Sequence, residues 1–386
     1  MLMKNVDYPA LLSQAGPTPL VSDLRVAVIS DAWAQRNGVG AYYHDLCGLL
    51  SGQVGRIELI CPGEPGTRST LSLPLPGDST QKVCLPALGE IRARIEALDP
   101  HVIVVPTPGP FGLLGARLAR RRRCGLVVGF HTHFEEIMHL YWSRWFGYLT
   151  VTYFELLNRY LFHRAGVILA NSGQMVDIAR ARSRTPVELM GTPIARTFLE
   201  SPAAAPVSTV RRVLFAGRLA AEKNVPAIIE AARKLPQLQF AIAGDGPCRD
   251  EVVAAAAELA NLDYLGWLTR DELLHALDAA DLLVLPSHVE SFGTIAMEAM
   301  ARSRPVLVSA RCGINDWRQL TPGLFRMGEG ESVTAAIKRL ASMDSRILQQ
   351  KARKARAGAE AVNRWNIELW LRTLQEQASC PAGRVA

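Results

Sequence analysis

Short apolar runs alternate with amphipathic stretches along most of the chain, the signature of strand–helix–strand units on parallel sheets. In the first half, LRVAVIS (Leu24–Ser30), RIELIC (Arg56–Cys61), HVIVV (His101–Val105), GLVVGF (Gly125–Phe130) and GVILA (Gly166–Ala170) predict strands. Stretches of helical spacing separate most of them, among them Ile91–Leu98 and Gly173–Ala181. Periodicity lapses over Ser201–Ser208 (SPAAAPVS), which reads as a linker. The alternation then restarts, with RRVLFAG, LQFAIAG, LDYLG, DLLVLPS and RPVLVSA as strands. Two such halves predict two Rossmann-like, doubly wound α/β domains facing across a cleft, residues 1–200 and 201–364. The last helical region, Ile347–Gln377, carries Trp365 and Trp370, and its apolar face must pack on something. Residues 365–386 are therefore expected to form a C-terminal helix that packs back on the first domain.

Composition narrows the class. A chain of 386 residues exceeds one ordinary hydrophobic core. No apolar run approaches the roughly 18 residues of a membrane span, and the N-terminus has no apolar segment ahead of a cleavage site, so a cytoplasmic protein is expected. The seven scattered cysteines lack any CxxC pair, which argues against a disulfide framework or a zinc site. The net charge of +7 is uneven: no acid lies between Asp99 and Glu135, a window holding Arg117, Arg120, Arg121, Arg122 and Arg123. These arginines read either as a solvated helix face or as a contact for an anionic membrane surface. Nucleic acid is not expected, because no recognised nucleic-acid module accompanies them.

The densest chemistry lies in LLVLPSHVESFGTIAMEAMARSRPVLVS, residues 282–309. A strand ends at Pro286, a loop holds Glu290, Ser291, Phe292 and Gly293, and a helix carrying Glu298 begins near Thr294. Free N–H groups at that helix start, with Gly293 permitting close approach, suit a diphosphate. Two carboxylates beside a phosphate site suit neutral hydroxyls, since an ionised carboxylate accepts hydrogen bonds from vicinal hydroxyls. In VLFAGRLAAEKNV, residues 213–225, Arg218 and Lys223 project from a strand-to-helix loop and would neutralise a diphosphate. The chain has seven lysines against 36 arginines, so a lysine here is informative. Gly244-Asp245-Gly246-Pro247 is a tight turn at another strand end, and Trp267 follows the next strand as either a cleft contact or a core residue.

In the first half, Gly38-Val39-Gly40 opens a helix, but the loop from Ser30 is too long and Tyr43 stands where a dinucleotide fingerprint needs its third glycine. His131 and His133 follow a strand end directly. No zinc-ligand spacing joins them to His139, and no D-x-D triplet occurs, so no metal is expected. The aromatic stretch His139–His163 reads as core plus one amphipathic helix, or as an interfacial surface.

Glu290-Ser-Phe-Gly…Glu298 matches the E-x7-E motif of retaining glycosyltransferases of the GT-B fold, notably glycosyltransferase family 4. Gly217, Arg218 and Lys223 match its G-R-x-x-x-x-K motif, and Phe130-His131-Thr132 resembles its F-H-T segment. The resemblance runs from Arg25 to about Trp365 and is strongest over residues 213–310. It implies Glu290 on the donor sugar, Glu298 on the ribose, amides of Phe292–Thr294 on sugar and phosphate, and Arg218 and Lys223 on the diphosphate. It further implies Gly38, Gly40 and Gly244 near the donor, Trp267 and Leu268 near the base, His131 near the transferred sugar, and His133 and Glu135 toward the acceptor. The implied activity is that of a metal-independent retaining hexosyltransferase without cofactor. It would move a hexose from a UDP- or GDP-sugar to the hydroxyl of a glycan, lipid or lipid-linked acceptor. A sugar-nucleotide 2-epimerase, a phosphorylase of the same fold and a non-catalytic sugar-nucleotide-binding subunit are the rivals. RCGIND (311–316) and MGTPIARTF (190–198) depart from the family's usual segments.

Overall fold

A computed structural model describes residues 21–34, 38–75, 78–131, 144–202, 205 and 207–379. His133 and Glu135 lie outside the described residues, as do Thr132, His139 and Trp142.

The first domain runs β1 (Val21–Ile29), α1 (Gly38–Leu50), β2 (Val54–Ile60), β3 (Ser69–Leu75), β4 (Asp78–Pro86), α2 (Leu88–Leu98), β5 (Val102–Val105), α3 (Pro110–Arg122), β6 (Gly125–Phe130), α4 (Arg144–Phe162), β7 (Val167–Ala170), α5 (Gly173–Arg182), β8 (Val187–Leu189) and α6 (Arg196–Glu200). Six of its strands form a parallel sheet in the order β2-β1-β5-β6-β7-β8, while β3 and β4 make a separate antiparallel hairpin. The second domain runs β9 (Arg212–Ala216), α7 (Val225–Lys234), β10 (Gln239–Ala243), α8 (Arg249–Glu258), β11 (Leu262–Gly266), α9 (Arg270–Ala279), β12 (Leu282–Leu285), α10 (Thr294–Ala301), β13 (Val306–Val308), β14 (Leu324–Arg326) and α11 (Val333–Ala341). Its parallel sheet, β11-β10-β9-β12-β13-β14, has the Rossmann strand order.

The strands read as continuous apolar runs because both sheet faces are covered. In β1, Ala27 and Ile29 enter one core while Leu24, Val26 and Val28 enter the core on the opposite face. In β9, Leu214 and Ala216 are separated in the same way from Val213 and Phe215. The segment joining the domains is pinned by two buried arginines that follow α10. Arg302 donates to the carbonyls of Phe198 and Ser201, at 3.2 and 3.0 Å, and Arg304 donates to that of Ala205 at 2.7 Å.

One helix, α12 (Ser345–Ser379), serves both domains. Ala355, Ala359 and Val362 pack in the second domain's core, and Leu369, Trp370, Leu371 and Leu374 in the first domain's. Trp370 is fully buried and its indole N–H donates to the Tyr42 hydroxyl at 2.9 Å, which in turn donates to the Gly191 carbonyl at 3.0 Å. The division expected at residue 364/365 falls within this continuous helix, whose period carries one apolar stripe across both cores.

Candidate active site

In each sheet the strand order reverses once, between β1 and β5 in the first domain and between β9 and β12 in the second. Loops leaving neighbouring strands diverge there and open a crevice at the strands' carboxyl ends. In the first domain the crevice is filled from within. The Asp31 carboxylate accepts from the Thr107 hydroxyl (2.7 Å) and from the amides of Gly109 (3.0 Å), Phe111 (2.7 Å) and Gly112 (3.1 Å), which occupies the start of α3.

In the second domain the loops after β9 and β12 are stitched together. The His288 amide donates to the Glu222 carbonyl at 2.8 Å, and the Asn224 side chain donates to the Pro286 carbonyl at 3.3 Å. Gly217, Arg218 and Lys223 come from the first loop, and Glu290, Ser291, Phe292 and Gly293 from the second. Lys223 donates to Glu290 at 2.6 Å, and the Ser287 hydroxyl lies 3.5 Å from the same carboxylate oxygen. Arg218 bonds Glu222, which is only 2% exposed. Both cations expected to neutralise a diphosphate are thus matched by carboxylates in this structure, because neither could be left half-buried without a countercharge.

Gly293 caps α10 with a φ of 89°, a left-handed conformation that suits glycine, and supplies no side chain to the helix start. Thr294 opens that helix. The Phe292 side chain is buried at 2% exposure against Trp317, with ring centroids 5.6 Å apart. Phe292 can therefore offer a ligand only its backbone. The Gly244 turn closes from the side: its φ is 137°, and a Cβ there would lie 1.9 Å from the Gly217 carbonyl oxygen. Trp267 is half exposed just past β11 and is not a core residue, whereas Leu268 packs partly against the core.

Glu298 sits one helical stretch further on, 2% exposed. Burial pushes its carboxyl above the usual range, and the Arg270 guanidinium opposes that shift. Arg270 bonds Glu298 and also Asp45 of α1, on the other domain. From the first domain, His131 directly follows β6 at 8% exposure, 3.0 Å from the Tyr43 hydroxyl, and burial lowers its pKa to about 3. Gly38 and Gly40 open α1, Gly40 buried and Gly38 exposed.

Sequence reading missed Glu222, Arg270, Asp45, Tyr43 and Asp31. Glu222 was the most legible of these, lying four residues after Arg218. Arg270 and Asp45 are 225 residues apart and carry no local signal.

Comparison with known proteins fits this arrangement. Residues 36–194 match a family model described as Glycosyltransferase Family 4, and residues 200–344 match one described as Glycosyl transferases group 1. The chain belongs to the group 1 glycosyltransferases of family 4 type. This glycosyltransferase is 23% identical over 286 residues to the sulfoquinovosyl transferase SQD2 of Arabidopsis thaliana, covering 70% of the chain and 55% of that protein. It is 33% identical over 155 residues to the 2-deoxystreptamine glucosyltransferase of Streptomyces kanamyceticus, covering 38% of the chain and 39% of that protein. These alignments therefore span about half of the first relative's length and less of the second's. Among solved structures, sucrose-phosphate synthase from Thermosynechococcus elongatus superposes with a TM-score of 0.72 at 18% identity, covering 92% of this chain and 98% of that one. HepE of Anabaena, in complex with UDP-glucose, gives 0.66 at 17%, covering 92% and 99%. At such identities the likeness is one of fold, and the fold is GT-B. Among the described residues, no group of three His, Cys, Asp or Glu side chains is placed to hold a metal ion, and no helix is long and apolar enough to cross a membrane.

Proposed function

We propose that the chain transfers a hexose from a UDP- or GDP-sugar to an acceptor hydroxyl, with retention of configuration and without a metal ion. The convergence of Arg218, Lys223, Glu290 and the start of α10 at one switch point carries this reading. A diphosphate laid on the amides of α10 would draw Lys223 onto a phosphate oxygen. Glu290, released from Lys223, would then accept from sugar hydroxyls beside it. As the sugar–phosphate bond breaks, negative charge grows on the leaving diphosphate, where Arg218, Lys223 and the fixed helix-start amides stabilise it most. Two cations and a helix start supply the positive field a divalent ion would otherwise provide, and the chain has no D-x-D triplet to bind one. Glu298 takes the ribose, and Trp267 and Leu268 take the base side. Neutral His131 orients the transferred sugar. No pair of carboxylates in the sequence suggests a glycosyl-enzyme nucleophile, so the acceptor would attack from the face the diphosphate leaves.

We place the acceptor at an anionic membrane surface. Helix α4 exposes Tyr153, Leu156 and Tyr160 at 52, 61 and 37%, three and four residues apart and so on one face. Arg159 and Arg164 flank that face, and Arg117, Arg120, Arg121 and Arg123 of α3 and its end are exposed. Aromatic rings interleaved with arginines suit the headgroup zone.

The direct test incubates the purified chain with UDP-, GDP- and ADP-sugars in excess chelator and follows release of nucleotide diphosphate. Release from at least one donor in chelator is expected. Binding without release from any donor would mark a non-catalytic binding subunit, and release that needs added Mn²⁺ or Mg²⁺ would overturn metal independence.

A further inference from the structure

We propose that Arg270 is the positioning residue of the ribose carboxylate: it holds one oxygen of Glu298, is itself held across the cleft by Asp45, and leaves the second Glu298 oxygen for hydroxyl donors. The inference rests on reading Glu298 as the ribose residue.

Arg270 is the first residue of α9. A cation is mismatched there, because the helix start already carries partial positive charge. Its neighbours follow the local preference: Asp271 and Glu272 stand in the same turn, and Thr269 with Glu272 forms a reciprocal cap. That cap fixes the backbone from which Arg270 departs, so the arginine answers to tertiary partners rather than to the helix. Its planar fork addresses two carboxylates at once, with Nη1 on Glu298 Oε1 and Nη2 on Asp45 Oδ2. Both carboxylates are buried, at 2 and 6% exposure. Removing either from water without a partner would cost several kcal/mol.

The pair serves a ligand as well as the fold. A ribose presents two vicinal hydroxyl donors, which an ionised, acceptor-only carboxylate receives better than a protonated acid, one of whose oxygens carries a hydrogen of its own. Burial favours the protonated form of Glu298, and the guanidinium opposes that shift by favouring the ionised one. The charged groups bearing on Glu298 are Arg270 from α9 and Asp45 from α1, with His44 Nδ1 3.6 Å behind Asp45. At the C-terminal end of α10, Arg356 of α12 is bound to Glu360 and to the carbonyls of Ala301 and Leu199. Two carboxylates against one guanidinium leave a buried negative surplus, which two donated hydroxyl hydrogens would relieve. Because Asp45 belongs to the other domain, the ribose carboxylate is set by both halves of the molecule.

The test titrates calorimetrically the best-binding nucleotide among UDP, GDP and ADP into wild type, Arg270→Met, Arg270→Lys, Glu298→Gln and the Met/Gln double variant, between about pH 7 and pH 9. With Arg270→Met, affinity at neutral pH should fall by about tenfold or more and recover as rising pH ionises Glu298. Wild type and Arg270→Lys should show no such rise, and the double variant should bind weakly at every pH. If the Met variant does not fold, Arg270→Gln carries the same test. Wild-type affinity in Arg270→Met, or a loss independent of pH, would overturn the proposal. Should Glu298→Gln bind as wild type does, the ribose assignment itself fails, whatever Arg270 does.

Discussion

His131 shows how far burial can change a residue's chemistry. Its ring packs edge-on against Tyr42 and Tyr43, with centroids 4.7 and 5.3 Å away, and its pKa is lowered to about 3. Under the proposed function it would meet a donor as a neutral group, one nitrogen donating and one accepting. The sign of its contribution to stability follows. In the unfolded chain the imidazole binds a proton near pH 6.5, whereas in the folded protein it does so only near pH 3. The unfolded state thus binds more protons throughout that window, and stability is lost as pH falls through it, by up to about 1.4 kcal/mol per pH unit. Urea unfolding at pH 7 and pH 5 should show a smaller loss in His131→Gln than in wild type. An equal loss in the two proteins would show that His131 does not carry the linkage. At this scale the sequence was partly legible. Motif spacing placed Arg218, Lys223 and Glu290 between a strand and the next α-helix and Glu298 on the helix after Gly293, where the structure has them, since local spacing determines such positions. It could not show that Lys223 reaches Glu290 or that Asp45 reaches Arg270, because such partners are chosen by tertiary distance.

The elements divide by how they are buried. Strands covered on both faces, such as Val102–Val105 and Leu282–Leu285, announce themselves as unbroken apolar runs. Three-residue strands such as β8 and β14 are too short to show a period. The hairpin β3–β4 was missed because Leu71, Leu73, Val83 and Leu85 are exposed and prolines interrupt the run. Helix α4 keeps its amphipathic period, and its exposed Tyr153, Leu156 and Tyr160 are the element-scale case for a membrane contact. Vesicles of anionic lipid should sediment the protein at low salt and release it at high salt, because surface attraction is screened within roughly 10 Å at 0.1 M. Equal failure with anionic and neutral vesicles at low salt would contradict the placement.

On the scale of the whole molecule, two Rossmann-like sheets present unlike crevices. The first is closed by its own carboxylate, Asp31, at the start of α3; the second keeps a helix start without a side-chain cap. On the function proposed here, this asymmetry favours the second domain for the anionic end of a donor and leaves the first to the acceptor. Arg270 and α12 join the halves, through Asp45 and through one apolar stripe shared by both cores. The two-domain plan was legible because alternation lapses at the SPAAAPVS segment and then resumes. The shared helix was not, since nothing local marks where one core ends along its stripe.

The central claim is that Glu290 and Glu298 touch different parts of one donor, and calorimetric titration of their alanine variants tests it most directly. Glu298→Ala should weaken free nucleotide diphosphate and intact nucleotide sugar alike, since both contain the ribose. Glu290→Ala should leave free nucleotide nearly unchanged while weakening the nucleotide sugar. A hydrogen bond to a charged group contributes about 1.5–3 kcal/mol, so each loss should be roughly 10- to 150-fold. If Glu290→Ala loses free-nucleotide affinity as severely as Glu298→Ala, the two carboxylates do not divide the donor in this way.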